Sequence, residues 1–206
     1  MAEGARLAIP YPEVGVVDEP TLAAQSDALA ATLSARPVVL GGCCCSHVGA
    51  ARGLAGRVDR LGIVWIDAHG DLNTPETSPS GNLWGMALRM LLDDGVVRHA
   101  DAALVGARNL DPPEAEFVAE TGIDDSLERA LAAVGAAYVA LDLDVLDPAE
   151  ADVFFAEPDG LRIDEVEAVL RETTARARVA GIGVSGFRTS ERNVAVITRL
   201  LGAAGF

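Results

Sequence analysis

Six short apolar runs recur along this chain, separated by segments with helical periodicity. They are Leu7–Pro10, Val38–Leu40, Gly62–Ile66, Ala102–Val105, Tyr138–Leu143 and Ala180–Val184. The intervening patterns predict helices over Leu22–Ser34, His47–Asp59, Asn82–Asp94, Pro113–Glu120, Ser126–Val134, Asp164–Arg178 and Ser190–Leu201. Strands that are apolar along their whole length, rather than at alternate positions, must be covered on both faces. Strand–helix alternation then demands a parallel sheet between two helical layers. The expected fold is a three-layer αβα sandwich with a mainly parallel sheet. No repeat or low-complexity linker interrupts it, so residues 1–206 are read as a single domain. In such a fold ligands bind beyond the carboxyl ends of the strands.

Composition narrows the partners. The chain has 31 acidic and 16 basic side chains, a formal net charge of -15, and no lysine. An excess of that sign repels nucleic acid and anionic membranes, so neither is an expected partner. No apolar stretch approaches the roughly 18 residues of a membrane span, and residues 1–20 carry Glu3, Glu13, Asp18 and Glu19 rather than a leader-like apolar run. The three cysteines are consecutive, Cys43–Cys45, and cannot staple distant loops. A reduced, cytoplasmic protein is the expectation.

Two of the apolar runs end in carboxylates. The first continues as Asp67-Ala68-His69-Gly70-Asp71 and the second as Asp142-Leu143-Asp144. In extended backbone alternate residues share a face, so Asp67, His69 and Asp71 can converge, as can Asp142 and Asp144. Side by side, these strand ends would bring the four Asp carboxylates and one imidazole into one crevice. Buried carboxylates need compensation, and one or two divalent ions supply it. Carboxylate with imidazole suits Mn, Zn, Fe or Ni better than Ca. The plainer reading is that some of these Asp residues cap turns, as Asp147-Pro148 does.

The segments "WIDAHGDLNTPETSPSGNLWGM" and "ALDLDVLDP" resemble two signatures of the arginase/agmatinase (ureohydrolase) family, and "VVLGGCCCSHVGA" resembles a third, a strand ending in Gly-Gly-Asp-His-Ser. The resemblance runs from about Pro37 to Gly186, and the chain is short for the family, so the expected arginase- or deacetylase-like sandwich is a shortened one. It implies a binuclear manganese centre whose hydroxide attacks a guanidinium carbon and releases urea. It implies that Asp67 and Asp142 bridge the metals, that His69 and Asp144 serve one of them, and that Asp71 serves the other. The family's remaining histidine ligand falls on Cys44. A thiolate there favours Zn or Fe over Mn. His47, three residues on, is the rival ligand and the one weak candidate for a general base. A third outcome is a vacant or weak second site.

The resemblance also implies a substrate-reading surface of Asn73, Ser80, Asn82, Asp111 and Glu114, although Asp111-Pro112-Pro113 equally reads as the start of a helix. It implies a small-molecule substrate and a homo-oligomer, since the family forms trimers and hexamers. Two catalytic positions depart. Trp84 stands where the family has a proton-shuttling histidine, and Gly186 where it has the glutamate that pairs with the guanidinium. Arg188 follows two residues later. Losing one member of a buried charge pair costs on the order of 3–5 kcal/mol. The expected activity is therefore metal-dependent hydrolysis of a C–N bond in a small amino-acid-like or amide substrate, not the ordinary arginase reaction. The alternatives are a catalytically inactive relative with a binding or regulatory role, and an oxidant sensor built on the cysteines.

Overall fold

The computed structural model describes residues 7–11, 13 and 15–206. Five strands, β1 (Val38–Leu40), β2 (Leu61–Ile66), β3 (Ala102–Val105), β4 (Ala136–Asp142) and β5 (Val179–Ser185), form one sheet in the order β1-β5-β4-β2-β3. Every pairing is parallel. The helices are α1 (Leu22–Thr32), α2 (Cys45–Ala55), α3 (Ala87–Asp93), α4 (Pro112–Thr121), α5 (Leu127–Leu131), α6 (Ile163–Arg176) and α7 (Glu191–Ala203).

The period of two along each strand divides the core into two layers. Val64, Ile66, Val139 and Leu141 pack with Val166 and Leu170 of α6 and with Ile197 and Leu200 of α7. Their neighbours Ile63, Trp65, Tyr138 and Ala140 face the other way, against Val48 and Leu54 of α2 and Leu88 and Leu91 of α3. Each fully buried side chain of this size stabilises the fold by about 1.5–3 kcal/mol. This is the α/β/α sandwich that the doubly apolar strands predict.

Three elements differ from the sequence expectation. Leu7–Pro10 is not a strand. Leu7, Ile9 and Tyr11 instead lean on the core from an irregular segment, and the Tyr11 amide turns back to the Ile9 carbonyl at 2.8 Å. An apolar run becomes a strand only where a ladder partner is free, and Pro10 has no N–H to offer one. The helix expected from Asn82 begins as a 3-10 turn, Leu83–Met86, before α3. There the Gly85 carbonyl accepts the Asn73 amide at 3.1 Å, a tertiary bond drawn from the segment that follows β2. Finally, β4 stops at Asp142, and Leu143–Val145 is a 3-10 turn rather than strand.

Candidate metal centre

The line of β2 does not end at Ile66. The Asp67 amide bonds the Val105 carbonyl at 3.1 Å, and the Ala68 carbonyl accepts the amides of Arg108 and Asn109 at 2.9 and 3.0 Å. His69 pairs with Asn109 as an isolated parallel bridge. Asp67 and His69 therefore project from an extended backbone, as alternation predicts. Asp71 does not continue it. Its φ of 50° is left-handed, a conformation that costs a non-glycine residue about 1–2 kcal/mol.

Asp142 and Asp144 converge by another route. The Asp142 carboxylate accepts the Asp144 amide at 2.9 Å, which closes the 3-10 turn. The side chain thus competes with the ladder for the backbone and ends the strand. Asp144 then accepts the Ala68 amide at 3.2 Å, tying the end of β4 to the extension of β2. Arg108 secures the same corner. Its guanidinium donates to the carbonyls of Asp144 (3.0 Å), Val145 (3.2 Å), Glu157 (3.0 Å) and Pro158 (2.7 Å).

Two donor groups result, and they share Asp67. In one, Asp67, His69 and Asp144 place a donor atom each within 4.8 Å of one another; in the other, Cys44, Asp67 and Asp142 do so. His69 Nδ1 lies 3.1 Å from Asp144 Oδ2 and 3.4 Å from Asp67 Oδ1, while Nε2 lies 3.4 Å from Glu157 Oε1. Cys44 sits at the N-cap of α2. Its Sγ donates to Asp142 Oδ2 at 3.0 Å and approaches Asp67 Oδ2 at 3.8 Å. Asp71 lies against Cys44, near the charges of Asp67 and Asp142. Its Oδ2 is buried with no hydrogen-bond partner among the described residues.

The electrostatics follow from burial. Desolvation, followed by the charge of Asp144, pushes Asp142 up to about 7. Desolvation, opposed by hydrogen bonding to His69, brings Asp144 to about 6. Burial and the neighbouring carboxylates hold Asp71 and the Cys44 thiol well above their ordinary values. His69 goes the other way: hydrogen bonds to Asp144 and Asp67 raise it to about 11. The cluster is thus a set of anionic donors neutralised by protons and one imidazolium. A divalent cation fits this environment. It would replace those protons, and it would give the buried Asp71 oxygen the partner it lacks.

His47 is placed elsewhere. It is buried one turn into α2, with Nδ1 2.9 Å from the Tyr138 hydroxyl and Nε2 3.0 Å from Ser185 Oγ. Burial lowers its pKa to about 3. Because Ser185 donates to Asp142 Oδ2 at 2.8 Å, the hydrogen bonds run in one direction, from Tyr138 through neutral His47 and Ser185 to the carboxylate. Both ring nitrogens are engaged, and through Ser185 the His47 ring buttresses Asp142. The chain reaches this position past Gly183, where a Cβ would meet the Tyr138 hydroxyl at 2.2 Å and the His47 ring at 2.5 Å.

The remaining expected residues divide. Asn73 donates to Asp111 Oδ2 at 2.8 Å, and its own carbonyl oxygen accepts from Thr77 at 2.9 Å. Glu114 accepts the Leu72 amide at 2.8 Å and the Asp111 amide at 2.9 Å. Asn73, Asp111 and Glu114 therefore form one network bracing the loop after β2 against the start of α4, where Asp111 is the N-cap. Ser80 and Asn82 stand outside it; Ser80 Oγ accepts the Asn82 amide at 3.2 Å on an exposed turn. Trp84 is 39% exposed. Arg188 is turned outward: its Nε donates to the Val153 carbonyl at 2.9 Å, and its guanidinium lies over the Phe154 ring. Phe154 and Phe155 are exposed. Cys43 and Cys45 are half-buried and form no disulfide, and a hydrogen bond with Cys45 lowers Cys43 to about 7.

Sequence reasoning missed Glu157, Ser185, Tyr138 and Arg108. Glu157 had a faint signal, as a carboxylate in a loop that departs from the resemblance. Ser185 and Tyr138 had none, since a single polar residue in an apolar run reveals no partner.

Fold and site together define a three-layer α/β/α protein with a metal-type donor centre at the carboxyl edge of a parallel sheet. A model of the arginase family matches residues 10–204, and the chain belongs to that family. Arginase of Bacillus subtilis (strain 168) is 36% identical in a match covering 56% of this chain and 48% of that protein. The crystal structure of arginase from Bacillus cereus superposes with a TM-score of 0.82 at 28% identity, over 89% of this chain and 77% of that one. Native arginase from Bacillus caldovelox at pH 5.6 gives 0.81 at 27% identity, over 95% and 82%. The chain spans about half the length of the curated relatives it matches.

Proposed function

We propose that this protein is a divalent-metal hydrolase that cleaves a C–N bond in a small amino-acid-like or amide substrate, and that it is not an ordinary arginase. The observation that carries this reading is the convergence of Asp67, His69 and Asp144 beside Asp142 at the sheet edge. Family membership supports C–N hydrolysis and a metal centre of one or two ions. Manganese comes with the family, and Cys44 adds Zn or Fe. Asp67, His69, Asp142 and Asp144 would hold the first ion; Cys44, Asp71 and the shared carboxylates would hold a second. When bound, such an ion would supply Lewis acidity, making water a better nucleophile and polarising the heteroatom bonded to the carbon under attack.

This chain's own residues do the rest. Glu157 and Asp144 hold His69 between them, and Ser185 fixes one oxygen of Asp142. Asp111, with exposed Ser80 and half-buried Asn82, is the surface for an amino-acid head; Asn73 and Glu114 position it. The position at which the family pairs a guanidinium is Gly186, and a glycine offers no charge. A cationic guanidinium thus loses its bidentate partner, whereas a neutral amide needs none. Cytoplasmic location and homo-oligomeric assembly belong to the same reading. No described helix is long and apolar enough to cross a membrane.

A second reading is an inactive, ion-binding relative. It is favoured by Trp84 at the shuttle position and by His47, whose nitrogens are both engaged. The two separate experimentally. Purified protein is supplemented with Mn, Zn or Fe, its ion content is measured, and release of urea or ammonia is followed from arginine, agmatine and neutral amides. Ion binding with hydrolysis of a neutral substrate is expected. Ion binding with no turnover favours the second reading, and no ion binding defeats the first. Urea release from arginine at ordinary arginase rates would overturn the reading of Gly186 and Trp84.

A further inference from the structure

The two donor groups that share Asp67 are chemically unlike. Asp67, His69 and Asp144 offer oxygen and nitrogen; Cys44, Asp67 and Asp142 offer oxygen and sulfur. We propose that the centre is built for two different ions, with Cys44, Asp67, Asp71 and Asp142 forming a thiolate–carboxylate site that takes a thiophilic ion such as Zn, with Co as its probe, in preference to Mn. The proposal rests on the reading that these carboxylates hold metal, and it adds which ion goes where and why.

Three observations carry it. The Cys44 thiol is buried and donates to Asp142 at 3.0 Å, with Asp67 at 3.8 Å. A thiol in that place is one proton away from being a ligand to whatever replaces the proton. The buried Asp71 Oδ2 has no hydrogen-bond partner among the described residues, and the residue holds a left-handed backbone beside Cys44. An unpartnered buried carboxylate oxygen at a strained residue marks a ligand position. The third observation is that no imidazole is free to displace sulfur from this half, because His47 is bonded through both nitrogens.

Donor softness then sets the preference. Thiolate ligands select Zn, Co or Fe over Mn, whereas carboxylate and imidazole tolerate Mn. Cys43 and Cys45 are not in either donor group. They are half-buried, and they serve as internal controls.

The test uses the full chain, stripped with a chelator under reductant and titrated with Co. Bound Co is measured by elemental analysis and a thiolate-to-Co charge-transfer band by near-ultraviolet absorption. The wild type is expected to show the band. Cys44→Ser should lose it, and the double variant Cys43→Ser/Cys45→Ser, in which Cys44 is the sole thiol, should keep it. In competition between Zn and Mn, Cys44→His should shift the preference toward Mn by about tenfold or more. If a serine or histidine variant at residue 44 fails to fold by circular dichroism, the double variant decides the assignment alone. Bound Co without the band, or a band lost in the double variant, overturns the proposal and leaves the hydrolase reading standing. Absence of any bound ion overturns both.

Discussion

Gly186 stands where the resemblance to the arginase family implies a glutamate. Its φ is +73°, and a Cβ built there would lie 1.8 Å from Asp142 Oδ1. Its carbonyl accepts the Phe154 amide at 3.1 Å, holding the turn in place. A glutamate at this position is therefore excluded twice, by backbone conformation and by collision with a metal-type carboxylate. Gly186→Glu is expected to lower stability by about 2–4 kcal/mol in a denaturant titration. It should not create urea release from arginine; a folded variant with such activity would show that the turn can open. From the residues alone, the resemblance implies a carboxylate where Gly186 stands. The reason it cannot simply be put back lies in the approach of Asp142, which belongs to another strand.

At the scale of elements, the corner between β2, β4 and the loop ending at Gly160 depends on Arg108. One guanidinium bonds four carbonyls from two segments, Asp144–Val145 and Glu157–Pro158, and through the Glu157 and Pro158 carbonyls it carries Glu157 to His69. Arg108→Ala should cost about 1.5–3 kcal/mol or more, since charge-assisted hydrogen bonds are lost and buried carbonyls are left unpaired. Ion affinity, measured by competition with a chelator, should fall about tenfold as His69 loses its orienting partner. Arg108→Lys should not rescue it, because an ammonium lacks the planar fork. Unchanged affinity in Arg108→Ala would remove Glu157 from the account. The strands, helices and two-sided burial were legible because they arise from local periodicity. The 3-10 turn at Leu143–Val145 was not, because a side chain and a distant arginine decide it.

For the whole molecule, the clustered groups link ion, proton and stability. Folded Asp142 titrates at about 7 and Asp144 at about 6, and His69 at about 11, all above their unfolded values. Such raised groups contribute stability at low pH and lose it as pH rises through the folded pKa. His47, lowered to about 3, opposes this only up to its unfolded value near 6.5. The ion-free protein should therefore lose thermal stability steadily from about pH 6.5 to 9. With Zn bound the protons are already gone, so that slope should flatten, and ion binding at pH 7 should release protons that an indicator dye detects. A flat profile without ion would contradict the folded pKa order. The sequence by itself determined the sandwich, the parallel sheet and the placement of Asp67, His69 and Asp142 at strand ends, because apolar period and alternation are local properties of a chain. Only the tertiary structure decided that Cys44 faces Asp142 while His47 turns to Tyr138 and Ser185. That choice depends on which side chains the neighbouring strands present, and no local pattern encodes it.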